Sequence, residues 1–312
     1  MTSQVHKNML ASLKAKWLVL HYISSLVAIL TNREQAIVTG TSSGIGRSIA
    51  KAFAAAGARV ACIARRQADL DTLIAEIEAK GGQAFALPAD VTQPGAAVQI
   101  VSAVEQKFGP VDILINNAGI SRISPLTSED PGLDIWWHVY EVNVRAPVAL
   151  IRAVLPSMVE RGSGVVMSTT SQVASLALPV MTAYASSKAA ISKFHESLTP
   201  ELHGTGVLSF AVNPGVVATE LGKAETVFNK TALEHPAMQA FIGMARGPRK
   251  SHSPECCADL MVTLAADERC KVLHGHHLNA DQELEPVLLE AEKPDKGRIG
   301  KERLYLVNMG EL

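Results

Sequence analysis

The run Ala36-Ile37-Val38-Thr39 leads straight into Gly40-Thr41-Ser42-Ser43-Gly44-Ile45-Gly46, and a helical pattern takes over from Arg47 to about Ala56. Three glycines in seven residues, set between a β-branched apolar run and a helix, leave few folds open. Gly57 stands where a helix C-cap belongs, and a second apolar run, Arg59-Val60-Ala61-Cys62-Ile63-Ala64, follows it. The segment therefore predicts a βαβ unit with its glycines at the first strand-to-helix turn. Gly40 permits the tight turn, Gly44 lets a pyrophosphate approach the backbone, and Gly46 lets the helix pack closely on the strand. The helix start offers unpaired N–H groups and a positive dipole end to phosphate. Gly40, Ser42, Ser43, Gly44, Ile45 and Gly46 are accordingly the candidate phosphate contacts. The spacing is G-x-x-x-G-x-G rather than G-x-G-x-x-G, so the reading rests on the place between strand and helix.

Similar units recur. Ala84–Leu87, Val111–Ile115, Gly164–Ser168 and Val207–Val212 read as further strands, with a helix from about Ala96 to Lys107 and a last strand within Leu273–Asn279. Strands alternating with helices predict an α/β fold: one doubly wound parallel sheet (a Rossmann fold) with helices on both faces and ligands at the carboxyl ends of the strands. Aromatic residues are only 4% while hydrophobic residues reach 47%, which suits strands buried under helices. A net charge of -1 provides no basic field for a nucleic-acid backbone.

The second strand ends Ala64-Arg65-Arg66 with no acid. A carboxylate there would accept from a ribose 2′-hydroxyl, whereas a guanidinium pairs with a 2′-phosphate. The expected cofactor is NADP(H), preferred over NAD(H), with Arg65 as the phosphate contact and Arg66 as the alternative. Tyr184 and Lys188 are four apart and share a face if helical. A tyrosine near pKa 10 is a poor acid or base at neutral pH unless neighbouring positive charge favours its phenolate. Ser171, thirteen residues upstream, lies just past the fifth strand, placed to donate to a substrate oxygen.

Taken with Asn116-Asn117-Ala118-Gly119, Asn143 and Asn213-Pro214-Gly215, this order and spacing resembles the short-chain dehydrogenase/reductase family in its classical form, over roughly residues 34–280. The block Trp136–Val144 and the long tail are similar to fungal members. The resemblance implies that Tyr184 is the general acid/base and that Lys188 lowers its pKa and holds the nicotinamide ribose. Ser171 orients the substrate oxygen, and the Asn143 backbone carbonyl holds a relay water. Asn116 is implied to stabilise backbone, while Asn117, Ala118 and Gly119 lie along the cofactor, the last two beside the adenine ribose. Asp90 and Val91 flank the adenine edge. Pro214, Gly215 and Val217 line the carboxamide loop, and Thr219 lies near the pyrophosphate. Ser168, Thr169 and Thr170 compete with Ser171, which is chosen because its spacing matches the family's.

The implied activity is hydride transfer between the nicotinamide and a carbonyl or alcohol substrate, with reduction the expected direction. An epimerase or dehydratase on the same site, and a non-catalytic dinucleotide-binding protein, are the rivals. The family commonly forms homo-oligomers. Residues 34–280 form the expected catalytic domain, including a substrate lid over 220–254. That lid carries Leu221, Val227, Phe228, Met238, Phe241, Ile242 and Met244, so an apolar or bulky substrate is expected, with core packing an equal explanation for about half of these side chains. Residues 1–33 form an extension whose residues 8–30 offer membrane contact as the less favoured reading, and residues 281–312 read as a surface tail with one helical turn at 287–290. Cys62, Cys256, Cys257 and Cys270 suit a reducing, cytoplasmic setting. His274, His276 and His277 lack the spacing of a convergent ligand set, so no metal is expected. Trp136 and Trp137 are expected to pack the helix carrying Asn143.

Overall fold

A computed structural model of the chain describes residues 34–127, 132–218, 230–245, 251–297 and 299. Seven parallel strands form one sheet: β1 (Gln35–Thr39), β2 (Arg59–Ala64), β3 (Gln83–Pro88), β4 (Ile113–Asn116), β5 (Gly164–Thr169), β6 (Val207–Asn213) and β7 (His277–Asn279). Their order is β3-β2-β1-β4-β5-β6-β7. The chain winds outward one way from β1 to β3 and the other way from β4 to β7. The strand order reverses between β1 and β4, where a crevice opens at the carboxyl ends.

Alternation along each strand divides the core into two layers. Ala36, Val38, Val60, Cys62, Ile113 and Ile115 face a layer built with α1 (Gly44–Ala55), α2 (Gln67–Glu78), α9 (Pro254–Ala266) and α10 (Leu284–Ala291). Ile37, Ala61, Ile63 and Leu114 face α3 (Ala96–Phe108), α5 (Ala146–Arg161) and α6 (Thr182–Glu201). Both faces are dry, which is why the strands read as continuous apolar runs. Between the layers' helices, α4 (Leu133–Tyr140) runs into α5 through a π-turn at Glu141–Arg145. The combined helix Leu133–Arg161 is long and apolar enough to cross a membrane, but Leu150, Ile151, Val154 and Met158 on it are buried against the sheet.

Some elements differ from expectation. Helix α1 begins at Gly44, three residues before the expected Arg47, so the glycine turn itself forms its first turn. The last strand spans only His277–Asn279, because a 3₁₀ turn ending at Leu273 and a turn at Gly275, φ +83°, take up the residues before it. The expected surface tail instead contains α10, whose Val287, Leu288 and Ala291 are buried in the main core. With Leu284 they keep the i, i+3, i+4, i+7 spacing of a helix packed on one face. Within residues 220–254, expected to form a lid, α7 (Lys230–Glu234) and α8 (Pro236–Ala245) are helical. Met238 and Ala232 pack with Ile123, Val180 and Met181 in a satellite cluster. Residues 1–33, Leu221, Val227 and Phe228 lie outside the described residues, as do the side chains of Phe241, Ile242 and Met244.

Candidate active site

The crevice is a cleft of about 450 Å³. Gly40, Ser42, Ser43, Gly44, Ile45 and Gly46 line its base, Arg65, Arg66, Asp90 and Val91 one end, and Asn117, Ala118, Gly119, Tyr184, Lys188 and Pro214 the other parts. Strand-end and turn residues expected from the sequence thus converge from well-separated segments of the chain. His138, Ser121 and Arg122 also line it, and the sequence offered no signal for them. Thr219 lies outside the described residues.

The glycine turn hangs on the end of β2: the Gly40 N–H donates to the Ile63 carbonyl at 2.8 Å. Ser43 caps α1 in an extended conformation and makes no side-chain capping bond, which leaves the first N–H groups of the helix without a side-chain cap where Gly44, Ile45 and Gly46 line the cleft. A Cβ on Gly46 would lie 2.3 Å from the Gly40 carbonyl oxygen, and one on Gly40, with φ +72°, would lie 2.8 Å from Ala118 Cα. Backbone is therefore brought as close as it can be around a helix N-terminus. The cradle fits a pyrophosphate, and the cleft fits the dinucleotide that carries one.

Asn117 holds the wall opposite. Its side-chain amide donates to the carbonyls of Thr39 at 3.1 Å and Gly40 at 3.3 Å, and its Oδ1 accepts from Thr169 Oγ1 at 3.2 Å. Asn117 thus stitches β1, β4 and β5, and Asn116, implied to stabilise backbone, donates to the Pro147 carbonyl at 3.5 Å. At the far end, Arg66 pairs with Asp69 one turn ahead, while Arg65 is exposed and makes no ion pair among the described residues. Asp90 is held below its usual pKa, first by the Thr92 hydroxyl and then by the Thr92 N–H.

The four hydroxyls at the end of β5 have separate partners. Ser168 Oγ pairs with His195 Nε2 at 2.7 Å, Thr169 Oγ1 donates to Asn117, and Thr170 Oγ1 pairs with His277 Nε2 at 2.7 Å. Ser171 Oγ accepts from the Val173 N–H at 3.4 Å and is the hydroxyl that acts on the Tyr184 phenol, drawing its pKa down. Lys188 Nζ donates to the Thr169 carbonyl at 2.7 Å and lies 5.9 Å from the Tyr184 ring centroid. Burial pushes Lys188 down to about 8. Burial also pushes the Tyr184 phenol above its ordinary value, and the Ser171 hydroxyl acts the other way. The Asn143 side chain braces the neighbouring loop, accepting from the Ile120 N–H at 2.9 Å and donating to the Ile120 carbonyl at 2.9 Å and to Ser187 Oγ at 3.0 Å.

Below Pro214, Gly215 has φ +74° and its N–H donates to Asn213 Oδ1, and Val217 bridges to His252. The three clustered histidines diverge. His277 bonds Thr170, His274 accepts from the Ser209 N–H, and His276 bonds the backbone carbonyls of Leu273 and His274. Trp136 stacks on Tyr140 with centroids 5.1 Å apart and donates to Thr182 Oγ1, tying α4 to the start of α6, while Trp137 is 53% exposed.

The family model described as short chain dehydrogenase matches residues 34–229. A short chain dehydrogenase of Pseudocercospora fijiensis is 60% identical over 277 residues, covering 89% of this chain and 89% of that protein. The solved 7α-hydroxysteroid dehydrogenase, in complex with NADH and 7-oxo glycochenodeoxycholic acid, superposes with a TM-score of 0.69 at 28% identity, covering 82% of this chain and 95% of its own. A variant of actinorhodin polyketide ketoreductase with NADPH gives a TM-score of 0.69 at 29% identity, covering 79% and 95%.

Proposed function

From a chain that belongs to the short-chain dehydrogenase/reductase family, as a classical member resembling fungal ones, we propose an NADP-dependent carbonyl reductase in which Tyr184 is the general acid. The coarser activity follows from membership: an oxidoreductase that uses a nicotinamide dinucleotide on small carbonyl or alcohol compounds. The finer reading is supported by one observation, the Lys188 ammonium held on the Thr169 carbonyl and 5.9 Å from the Tyr184 ring centroid in the cleft that the glycine cradle lines. Bound in the cleft, the dinucleotide supplies the hydride. Ser171 donates to the carbonyl oxygen and polarises it, and Tyr184 delivers its phenolic proton to that oxygen. Lys188, fixed on the Thr169 carbonyl, steadies the resulting phenolate and holds the nicotinamide ribose. The π-turn at Glu141–Arg145 interrupts regular α-helical bonding around Asn143, which suits a relay water on the Asn143 backbone carbonyl.

The preference for NADP(H) rests on Arg65. Arg66 is engaged by Asp69, so Arg65 is the guanidinium left for a 2′-phosphate. Arg65→Ser is expected to raise KM for NADPH by about 10- to 100-fold, the worth of a charge-assisted hydrogen bond or two. KM for NADH should change little, and Arg66→Ser should have the smaller effect. Equal losses with both dinucleotides would remove the phosphate contact from Arg65.

The substrate class is proposed as an apolar or bulky carbonyl on the composition of residues 220–254. Met238 packs in the satellite cluster rather than the cleft, so the proposal rests on the rest of that segment. A panel running from cyclohexanone to decalone and isatin, followed by NADPH absorbance beside NADH, tests it. Deuterated NADPH should leave its label in the isolated product, and product without label would point to epimerisation or dehydration. We also propose a homo-oligomer, through a groove of about 530 Å³ between α5 and α6 lined by Val148, Leu155, Val159 and Phe194. Val159→Arg should shift the protein to a smaller species in light scattering, and an unchanged mass would exclude this face. A cytoplasmic setting is proposed on the four free cysteines, Cys62, Cys256, Cys257 and Cys270.

A further inference from the structure

His195 follows Lys188 by seven residues and Tyr184 by eleven, two and three turns along α6. All three therefore share the helix face laid on β5 and β6. The imidazole is wholly buried, and both ring nitrogens are used. Nδ1 pairs with Ser209 Oγ on β6 at 2.6 Å, and Nε2 pairs with Ser168 Oγ on β5 at 2.7 Å. A neutral imidazole donates through one nitrogen and accepts through the other, and hydroxyls rotate to suit either tautomer. Burial holds His195 down to about 3, so the bridge keeps one charge state across the physiological range.

The two serines are placed where movement would matter. Ser168 immediately precedes Thr169, whose carbonyl holds Lys188 Nζ, and stands three residues before Ser171. The helix that carries the tyrosine and lysine is thus pinned to the strand that carries the lysine's partner and leads into Ser171. A buried polar bridge is a demanding way to fill a core position, since both of its ends must be satisfied. It fixes register more narrowly than an apolar side chain, which tolerates sliding.

We infer that His195 is a positioning residue, which by bridging Ser168 and Ser209 sets the reach of Lys188 to Thr169 and, on the same helix face, the place of Tyr184 beside it. The inference rests on the proton-transfer reading of Tyr184 and Lys188 given above. The competing role, a core histidine that contributes stability alone, is separated by the choice of controls.

The full-length protein and its variants His195→Phe, His195→Gln, Val104→Ala and Tyr184→Phe would be compared by melting temperature, NADPH dissociation constant from nucleotide fluorescence, and kcat and KM for isatin across pH. Val104 is fully buried in the same core layer, on α3, and serves as the stability control. His195→Phe is expected to lower kcat by at least about tenfold, because misplacing a catalytic group by about 1 Å can cost 100-fold. NADPH binding should weaken, because Lys188 also faces the ribose, and the alkaline limb of the pH profile should move. His195→Gln, able to keep one serine, should recover part of each loss. Val104→Ala should lose melting temperature while keeping all three constants. A His195→Phe enzyme matching Val104→Ala in kcat, NADPH binding and pH limb overturns the inference. If His195→Phe does not fold, Ser209→Ala cuts only the β6 end, and unchanged constants there overturn it equally. Should isatin not be turned over, the NADPH dissociation constants decide alone. Full activity in Tyr184→Phe would refute the site reading itself, whereas a dead Tyr184→Phe beside a normal His195→Phe refutes this inference only.

Discussion

Tyr184→Phe should bind NADPH nearly as the parent does and lose turnover by about 10²- to 10⁴-fold, the range that a positioned proton donor supplies. The substitution removes one hydroxyl from a ring that is already buried, so packing changes little. On the proposed mechanism, what it removes is the proton source. Ser171 can still donate a hydrogen bond to the carbonyl oxygen, but a serine hydroxyl does not release its proton to an alkoxide at neutral pH. Burial alone pushes the Tyr184 phenol up, which favours the protonated acid that reduction requires. Lys188 is pushed down to about 8 by the same dryness. The reductive rate should therefore hold through neutral pH and fall above about pH 8, as Lys188 loses the charge that steadies the phenolate. Stopped-flow NADPH oxidation across pH measures both effects. A Tyr184→Phe enzyme with parental kcat would move the proton transfer to another group.

Much of this site could be read from the residues alone, for a physical reason. Strands buried on both faces are written as unbroken apolar runs, so β2 is predicted as Arg59–Ala64 and found there. The glycine turn and the tyrosine–lysine pair act over short separations, so their spacing carries their meaning. What could not be read depends on distant partners. The four hydroxyls from Ser168 to Ser171 look alike in sequence, and three of them are sorted only by His195, Asn117 and His277. His195 gave no signal because Ser168 lies 27 residues before it and Ser209 14 after. Helix α10 was legible but obscured: its apolar stripe is embedded among prolines and acids that suggest a surface tail. β4 begins at Ile113, two residues later than its apolar run, and the Asp112 carboxylate just before it accepts from the Gln35 N–H at 3.0 Å.

Gly46→Ala should be the second severe change, acting on binding and stability together. Gly46 is not at a left-handed backbone angle, so the substitution is opposed by contact alone. The new methyl group would sit 2.3 Å from the Gly40 carbonyl oxygen and 2.4 Å from Asn117 Nδ2. Neither neighbour can yield freely. The Gly40 N–H is tied to Ile63 at the end of β2, and the Asn117 amide is tied to the Thr39 and Gly40 carbonyls. Relief requires α1 to lift from β1, and overpacking of this kind costs about 1–3 kcal/mol. The same displacement carries the helix N-terminus away from the phosphates, and losing one or two charge-assisted bonds there should weaken NADPH by about 100-fold. Gly81→Ala provides the contrast. Gly81 has φ +80° and open space where a methyl would go, with no atom within 4 Å of it, so alanine there should cost about 1 kcal/mol through backbone strain and leave NADPH affinity unchanged. Calorimetry and fluorescence titration of the two variants would separate strain from contact. A folded Gly46→Ala protein that binds NADPH like its parent would place the pyrophosphate somewhere other than this turn.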